Sequence, residues 1–128
     1  MIREKQVFNL TPDNDAPYSD ATVFNNMAFI SGQMSIDPQT GLSRHGNIEE
    51  QSELTIQNLL AVAKGLGASA EDFLSITTYL ADMADYEGYN KVYVSHFADK
   101  KPARCTVTVN GLYDSLKIEM TAVIAIPS

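Results

Sequence analysis

RCTVTVN (Arg104–Asn110) and LKIEMTAVIAI (Leu116–Ile126) decide the reading of the fold. Both alternate, and successive side chains of a strand point to opposite faces. In the first, Cys105, Val107 and Val109 share one side, and Arg104, Thr106 and Thr108 share the other. In the second, Leu116, Ile118, Met120, Ala122 and Ile124 share one side, and Lys117, Glu119 and Thr121 share the other. A turn around Gly111 would join them as an antiparallel hairpin. In that register apolar meets apolar and polar meets polar, and a slip of one residue would mix the faces. The same register sets Glu119 diagonal to Arg104.

Upstream, Phe73–Ala81 also alternates, with Leu74, Ile76, Thr78 and Leu80 on one side and Phe73, Ser75, Thr77 and Tyr79 on the other. Ala21–Phe24 and Met27–Ser31 flank Asn25-Asn26, a tight-hairpin signal, and Lys5–Asn9 fits a short strand. Two helices complete the set. Glu49–Leu66 brings Ile56, Leu59, Leu60, Ala63 and Leu66 close to one face, with Gly65 and Gly67 at its end. Asp85–Phe97 aligns Tyr86, Tyr89, Tyr93 and Phe97, with Asp85 as candidate N-cap. That aromatic stripe could bind a ring, but helical spacing makes core the simpler reading. Asp37–Gly41 and Thr11–Tyr18 read as turn and loop.

The expected fold is therefore α+β: a mixed sheet of about six strands with two helices on one face. The other face would hold Arg104, Thr106, Thr108, Glu119 and Thr121 beside Phe73, Tyr79 and Phe29. A half-apolar face predicts self-association through the sheets. The alternative is a two-layer monomer with one wet face.

A length of 128 residues fits one domain spanning 1–128. Nine Lys and Arg against sixteen Asp and Glu give a net charge of −7. That balance, with Arg3, Arg44 and Arg104 the only arginines, argues against nucleic-acid binding. The longest apolar run, Leu59–Ala63, excludes a membrane helix. MIREKQVFNL lacks the apolar core of a secretory signal, and the single cysteine, Cys105, fits a reducing compartment, so the expected location is cytoplasmic. His45 and His96 are not spaced as a metal pair, so no metal site is expected.

Arg104 is the leading chemical candidate, because a guanidinium grips a carboxylate through a fixed fork. The competing reading is a structural ion pair with Glu119, which would hold that carboxyl low. Ser31-Gly32-Gln33 ends a strand, and Gly32 would let a ligand approach the backbone. Cys105 falls on the apolar side, where a thiol acts as a small hydrophobe.

Together these residues resemble the RidA/YjgF family of reactive-intermediate imine deaminases, nearly end to end. The resemblance is carried by Pro17-Tyr18-Ser19, by Ser31-Gly32-Gln33 with Asp37-Pro38 and Thr40-Gly41, by Asn90 and Tyr93, and by Pro102-Ala103-Arg104 with Ile118-Glu119. It implies a chorismate-mutase-like fold and a homotrimer whose sheets form a barrel, with clefts between subunits. It implies hydrolysis of small 2-imino or 2-enamine acids to ammonia and a 2-keto acid, with no cofactor. By resemblance, Arg104 grips the substrate carboxylate and Glu119 holds the attacking water. Tyr18, Ser31, Gly32 and Asn90 line the pocket, and the backbone at Cys105 and Thr106 adds polar contacts. The alternatives are a non-catalytic binder of small carboxylates, action on another small amide or imine, and ribonuclease activity. Ala16, Thr106, Tyr113, Thr121 and the short loop Ala98–Lys101 depart from the family pattern.

Overall fold

The structure is a computed structural model and describes residues 4–127, so Arg3 lies outside it. Six strands form one sheet: β1 (Gln6–Phe8), β2 (Ala21–Phe24), β3 (Met27–Met34), β4 (Phe73–Leu80), β5 (Ala103–Thr108) and β6 (Ile118–Ala125). Their spatial order is β1-β2-β3-β6-β4-β5. Two helices, α1 (Ile48–Gly65) and α2 (Tyr86–His96), cover one face. No helix among the described residues is long and apolar enough to cross a membrane.

Local chemistry explains most boundaries. Asn25 takes φ 57° in the β2–β3 turn, a conformation asparagine tolerates. Asn47 begins α1 with a capping box: its side chain accepts from Glu50 N–H at 2.8 Å, and Glu50 Oε1 accepts from Asn47 N–H at 3.0 Å. Gly67, at φ +83°, ends the helix in the left-handed region. Asp85 makes no capping bond. The cap lies one turn earlier, where Asp82 Oδ1 accepts from Ala84 N–H at 2.9 Å and starts a short 3₁₀ turn that runs into α2.

The terminal hairpin does not form. β6 lies between β3 and β4, antiparallel to both, and β5 pairs with β4 in parallel, so β4-α2-β5 is a βαβ unit. Alternation fixes which residues share a face, but not which strand is the neighbour or which face meets the helices. Arg104 lies opposite Ile76 and Thr106 opposite Thr78. Ile76 and Thr78 are fully buried beneath the helices, so Arg104 and Thr106 point into that layer. Cys105 and Val107 point the other way and are exposed. Phe73 is also displaced from its expected face. The pairing shifts between Phe73 and Ser75, which turns Phe73 into the core and leaves Leu74 exposed.

The core joins Ile56, Leu59 and Val62 of α1 to Ile30, Ile76, Ile118, Met120 and Ile124 of the sheet. Tyr89, Tyr93 and Phe97 are buried there too. Successive rings stack from Phe73 through Phe97 and Tyr93 to Tyr89, at centroid separations of 5.2, 4.9 and 5.7 Å. Two amides secure the loops around α1. Gln51 donates to Gly46 O and accepts from Lys117 N–H, both at 2.9 Å. Asn58 donates to Met34 O at 3.0 Å and to Ile36 O at 2.9 Å.

Candidate functional site

The predicted residues form two groups, one on each side of the sheet. The first surrounds Arg104 on the edge strand β5. Its Nη1 donates to Asn90 Oδ1 at 2.8 Å and to Tyr89 Oη at 3.4 Å, and its Nη2 donates to Tyr86 Oη at 2.8 Å. The guanidinium carbon sits 4.5 Å from the Tyr93 ring centre, 5.4 Å from that of Tyr89 and 5.8 Å from that of Tyr86. Aromatic faces attract a cation at such distances. These partners are phenol rings and hydroxyls and one amide oxygen, and among the described residues no acid forms an ion pair with Arg104. The guanidinium is thus held in place without its charge being cancelled.

Tyr93 contributes its ring rather than its hydroxyl. That hydroxyl is buried without a hydrogen-bond partner. Burial, chiefly, raises its pKa to about 12, aided by Tyr89 and opposed by Arg104. A cavity of about 430 Å³ opens beside Arg104, lined by Asn90, Tyr93, Val94, Phe97, Lys101 and Pro102 among others. The parallel ladder adds donors. Val109 N–H bonds Leu80 O at 2.9 Å, so odd-numbered residues of β5 face β4 and the N–H groups of Arg104 and Thr106 point outward from the edge. Cys105 is not part of this group: its thiol projects from the opposite face, and its N–H faces β4.

The second group lies on the face the helices leave open. Glu119 of β6 pairs in register with Tyr79 and Met34. Ile76 and Tyr79 are three residues apart, so Arg104 and Glu119 occupy opposite faces. The expected diagonal pair is absent, and among the described residues no cation pairs with Glu119. Its carboxyl is therefore not held low. Desolvation pushes it above the ordinary glutamate range. Gly32 makes room for it, since a Cβ there would overlap Glu119 Oε2 and come within 3.0 Å of Cδ. Gly32 lies inside β3 rather than at its end, where the pairing with β6 shifts between Ile30 and Gln33.

Ser31 and Tyr18 belong to this second group. Ser31 Oγ donates to Ser19 O at 2.7 Å and ties the loop to β3. Tyr18 is 60% exposed, and with Pro17, Ser19, Phe29 and Ser31 it lines a cavity of about 450 Å³. β3 and β5 are three strand spacings apart, or about 14 Å.

Alternation along β5 made Arg104 visible but put it on the wrong side of the sheet. The contacts of Tyr86 and Tyr89 with Arg104 were missed for that reason. The signal was present in part, because a stripe of tyrosines spaced by three and four residues presents hydroxyls as well as rings to whatever strand it covers.

Fold and site together describe a mixed-sheet α+β protein that presents an uncancelled guanidinium on one sheet edge and a desolvated carboxyl on its open face. The profile of the family described as Endoribonuclease L-PSP matches residues 8–126. The chain is 38% identical over 123 residues to a RutC family protein of Pyrococcus abyssi, covering 96% of this chain and 97% of that one. It is 35% identical over 107 residues to the chloroplastic Reactive Intermediate Deaminase A of Arabidopsis thaliana, covering 84% of this chain and 57% of that one. The solved structure of Escherichia coli TdcF with bound serine superimposes with a TM-score of 0.81 at 30% identity, covering 88% of this chain and 90% of that one. The chain belongs to this L-PSP family, which includes RutC family proteins and reactive intermediate deaminases.

Proposed function

We propose that this chain is a hydrolytic deaminase of small 2-imino or 2-enamine acids, working as a homotrimer with its sites between copies. One observation carries the reading: Arg104 is oriented by Asn90, Tyr86 and Tyr89 yet has no acid partner among the described residues. Such a guanidinium is a ready receptor for a small carboxylate. The name of the plant relative, and the amino acid bound in the TdcF structure, agree with that chemistry.

The two-sided arrangement supports a shared site. A three-carbon imino acid is about 4 Å long and cannot reach from Arg104 through the sheet to Glu119 of the same copy. A cleft that sets the β5 edge of one copy against the β3–β6 face of another would bring the groups together. The open face carries Met27, Phe29 and Val107 at 38%, 48% and 38% exposure, apolar surface suited to burial between copies. The accessible surface of 7580 Å² also exceeds the roughly 6,700 Å² expected for a monomer of this mass.

In the proposed reaction Arg104, with the outward N–H of Thr106, holds the carboxylate. Water held by Glu119 attacks the carbon of the protonated imine, the π pair moves to nitrogen, and Glu119 takes a proton from the water. Glu119 then gives that proton to the carbinolamine nitrogen, the C–N bond breaks with its electron pair going to nitrogen, and ammonia leaves as the hydroxyl gives its proton to water and forms the carbonyl. The imine carbon is already electrophilic, so placement supplies much of the catalysis. Tyr18 and Ser31 wall the pocket.

The test is release of ammonia and pyruvate from freshly generated 2-aminoacrylate, with molar mass measured by light scattering. Turnover by a particle three times the chain mass is expected. An Arg104→Ala variant that is folded, trimeric and fully active would end the assignment. A net charge of −7 weighs against the ribonuclease activity in the family's name.

A further inference from the structure

We propose that Thr78 is a positioning residue for Arg104, acting through the hydroxyl of Tyr89. This rests on the reading of Arg104 as a carboxylate receptor. Thr78 is fully buried on β4, the strand between β6 and β5. Its Oγ1 lies 2.7 Å from Tyr89 Oη, and Tyr89 is itself fully buried.

The direction of the bond at Arg104 follows from counting protons. A guanidinium has donors only, so where Arg104 Nη1 meets Tyr89 Oη, at 3.4 Å, the tyrosine oxygen accepts. The Tyr89 proton must then go elsewhere. Two acceptors are in reach: Thr78 Oγ1 at 2.7 Å and Thr106 Oγ1 at 3.5 Å. In the proposed arrangement Tyr89 donates to Thr78 through the shorter contact and keeps a lone pair facing Arg104. Tyr86 fixes Nη2 and Asn90 shares Nη1, so the fork has a single orientation. Without the Thr78 hydroxyl, the Tyr89 proton is left with the distant Thr106 or with a rotamer that opposes the guanidinium, donor against donor. The fork then loosens about Nη1, and bidentate recognition of a carboxylate suffers, since it depends on the orientation of the guanidinium plane.

Thr78→Val keeps the side-chain shape and removes the hydroxyl. The readouts are steady-state kinetics and calorimetric binding of pyruvate as a probe. KM and the pyruvate Kd are expected to rise about 3- to 10-fold, the loss of one buried hydrogen bond, with kcat within about twofold. Thr78→Ser is expected to restore both constants. Tyr89→Phe should reproduce the defect, and adding Thr78→Val to it should cost nothing further. Tyr89→Phe carries the test alone if Thr78→Val does not fold. A folded Thr78→Val protein with wild-type KM and Kd, or defects that add in the double variant, would overturn the proposal. If wild-type protein neither turns over nor binds pyruvate, the receptor reading fails by itself. Nitrogen NMR of the Arg104 side chain then decides: separate, slowly exchanging Nη signals in wild type should merge in Thr78→Val, and unchanged signals would overturn the relay.

Discussion

The two sides of the sheet are built on different principles. On the helix side, Arg104 is specified by its own chain. Three hydroxyl or amide oxygens hold its fork and three rings flank it. On the open side, Glu119 has a space kept clear by Gly32, desolvation that disfavours its charge, and no cation paired with it among the described residues. A cation can be held by neutral acceptors and aromatic faces inside one copy. A desolvated carboxyl without a partner is costly, and such groups gather where chemistry or association uses them. The helix side thus holds its guanidinium with residues of its own chain, and the open side presents a carboxyl with no cation paired to it among the described residues.

The largest expected effect breaks the receptor. Arg104→Ala should lower kcat/KM by about 10²–10⁴-fold, the loss of two charge-assisted hydrogen bonds at about 1.5–3 kcal/mol each. Arg104→Lys should recover little, because an ammonium cannot use a cradle spaced for a planar fork. Efficient rescue by lysine would mean that only charge matters.

Glu119→Gln tests the open side and should cost about 10²-fold or more in kcat, the range of general acid–base groups. The ionised form takes the proton from water, and burial raises its pKa, so activity should fall on acidification at a pH above the ordinary glutamate range. An acid limb at or below that range would show that ligand or neighbour reverses the desolvation.

Gly32→Ala puts a methyl where the Glu119 carboxylate lies and should cost about 10–100-fold in kcat by displacing that carboxylate. Pyruvate affinity should change little, since Arg104 rather than Glu119 holds the carboxylate. A parallel loss of affinity would mean that Gly32 also shapes the carboxylate site.

Asn90→Ala removes the shortest bond to Nη1 and should raise KM about 10-fold with a small change in kcat.

The smallest effect concerns the frame beneath both halves. His96 Nε2 meets Glu53 at 2.9 and 3.0 Å and links α2 to α1, with side chains 18% and 47% exposed. His96→Gln should cost about 0.2–1 kcal/mol in thermal or urea unfolding and leave kcat within about twofold. A large loss of activity would place the comparison between the helices rather than between the faces.

How much of this was legible in the chain depends on the kind of information each feature needs. All six strands and both helices were legible because their signals are local: alternation, the Asn25-Asn26 turn and helical spacing. The α1 cap is also a local event, although its residue, Asn47, lies just before the stretch that reads as helix. Arg104 and Gly32 were legible as candidates from the strands that carry them, and Asn90 and the water-holding role of Glu119 only through the family resemblance. Their grouping was not. The βαβ crossover that puts β5 beside β4, the insertion of β6 between β3 and β4, and the shift at Phe73 each reassign faces, and none leaves a mark in the periodicity of a single strand.

The order of apolar and polar residues by itself determined that this chain makes strands and two covering helices, because each pattern needs only its own neighbours to be satisfied. Only the tertiary structure decided that Arg104 turns toward the tyrosines and Glu119 away from them. That choice depends on which strand supplies the adjacent ladder, and ladder partners here lie up to 98 residues apart in sequence, as Met27 and Ala125 do.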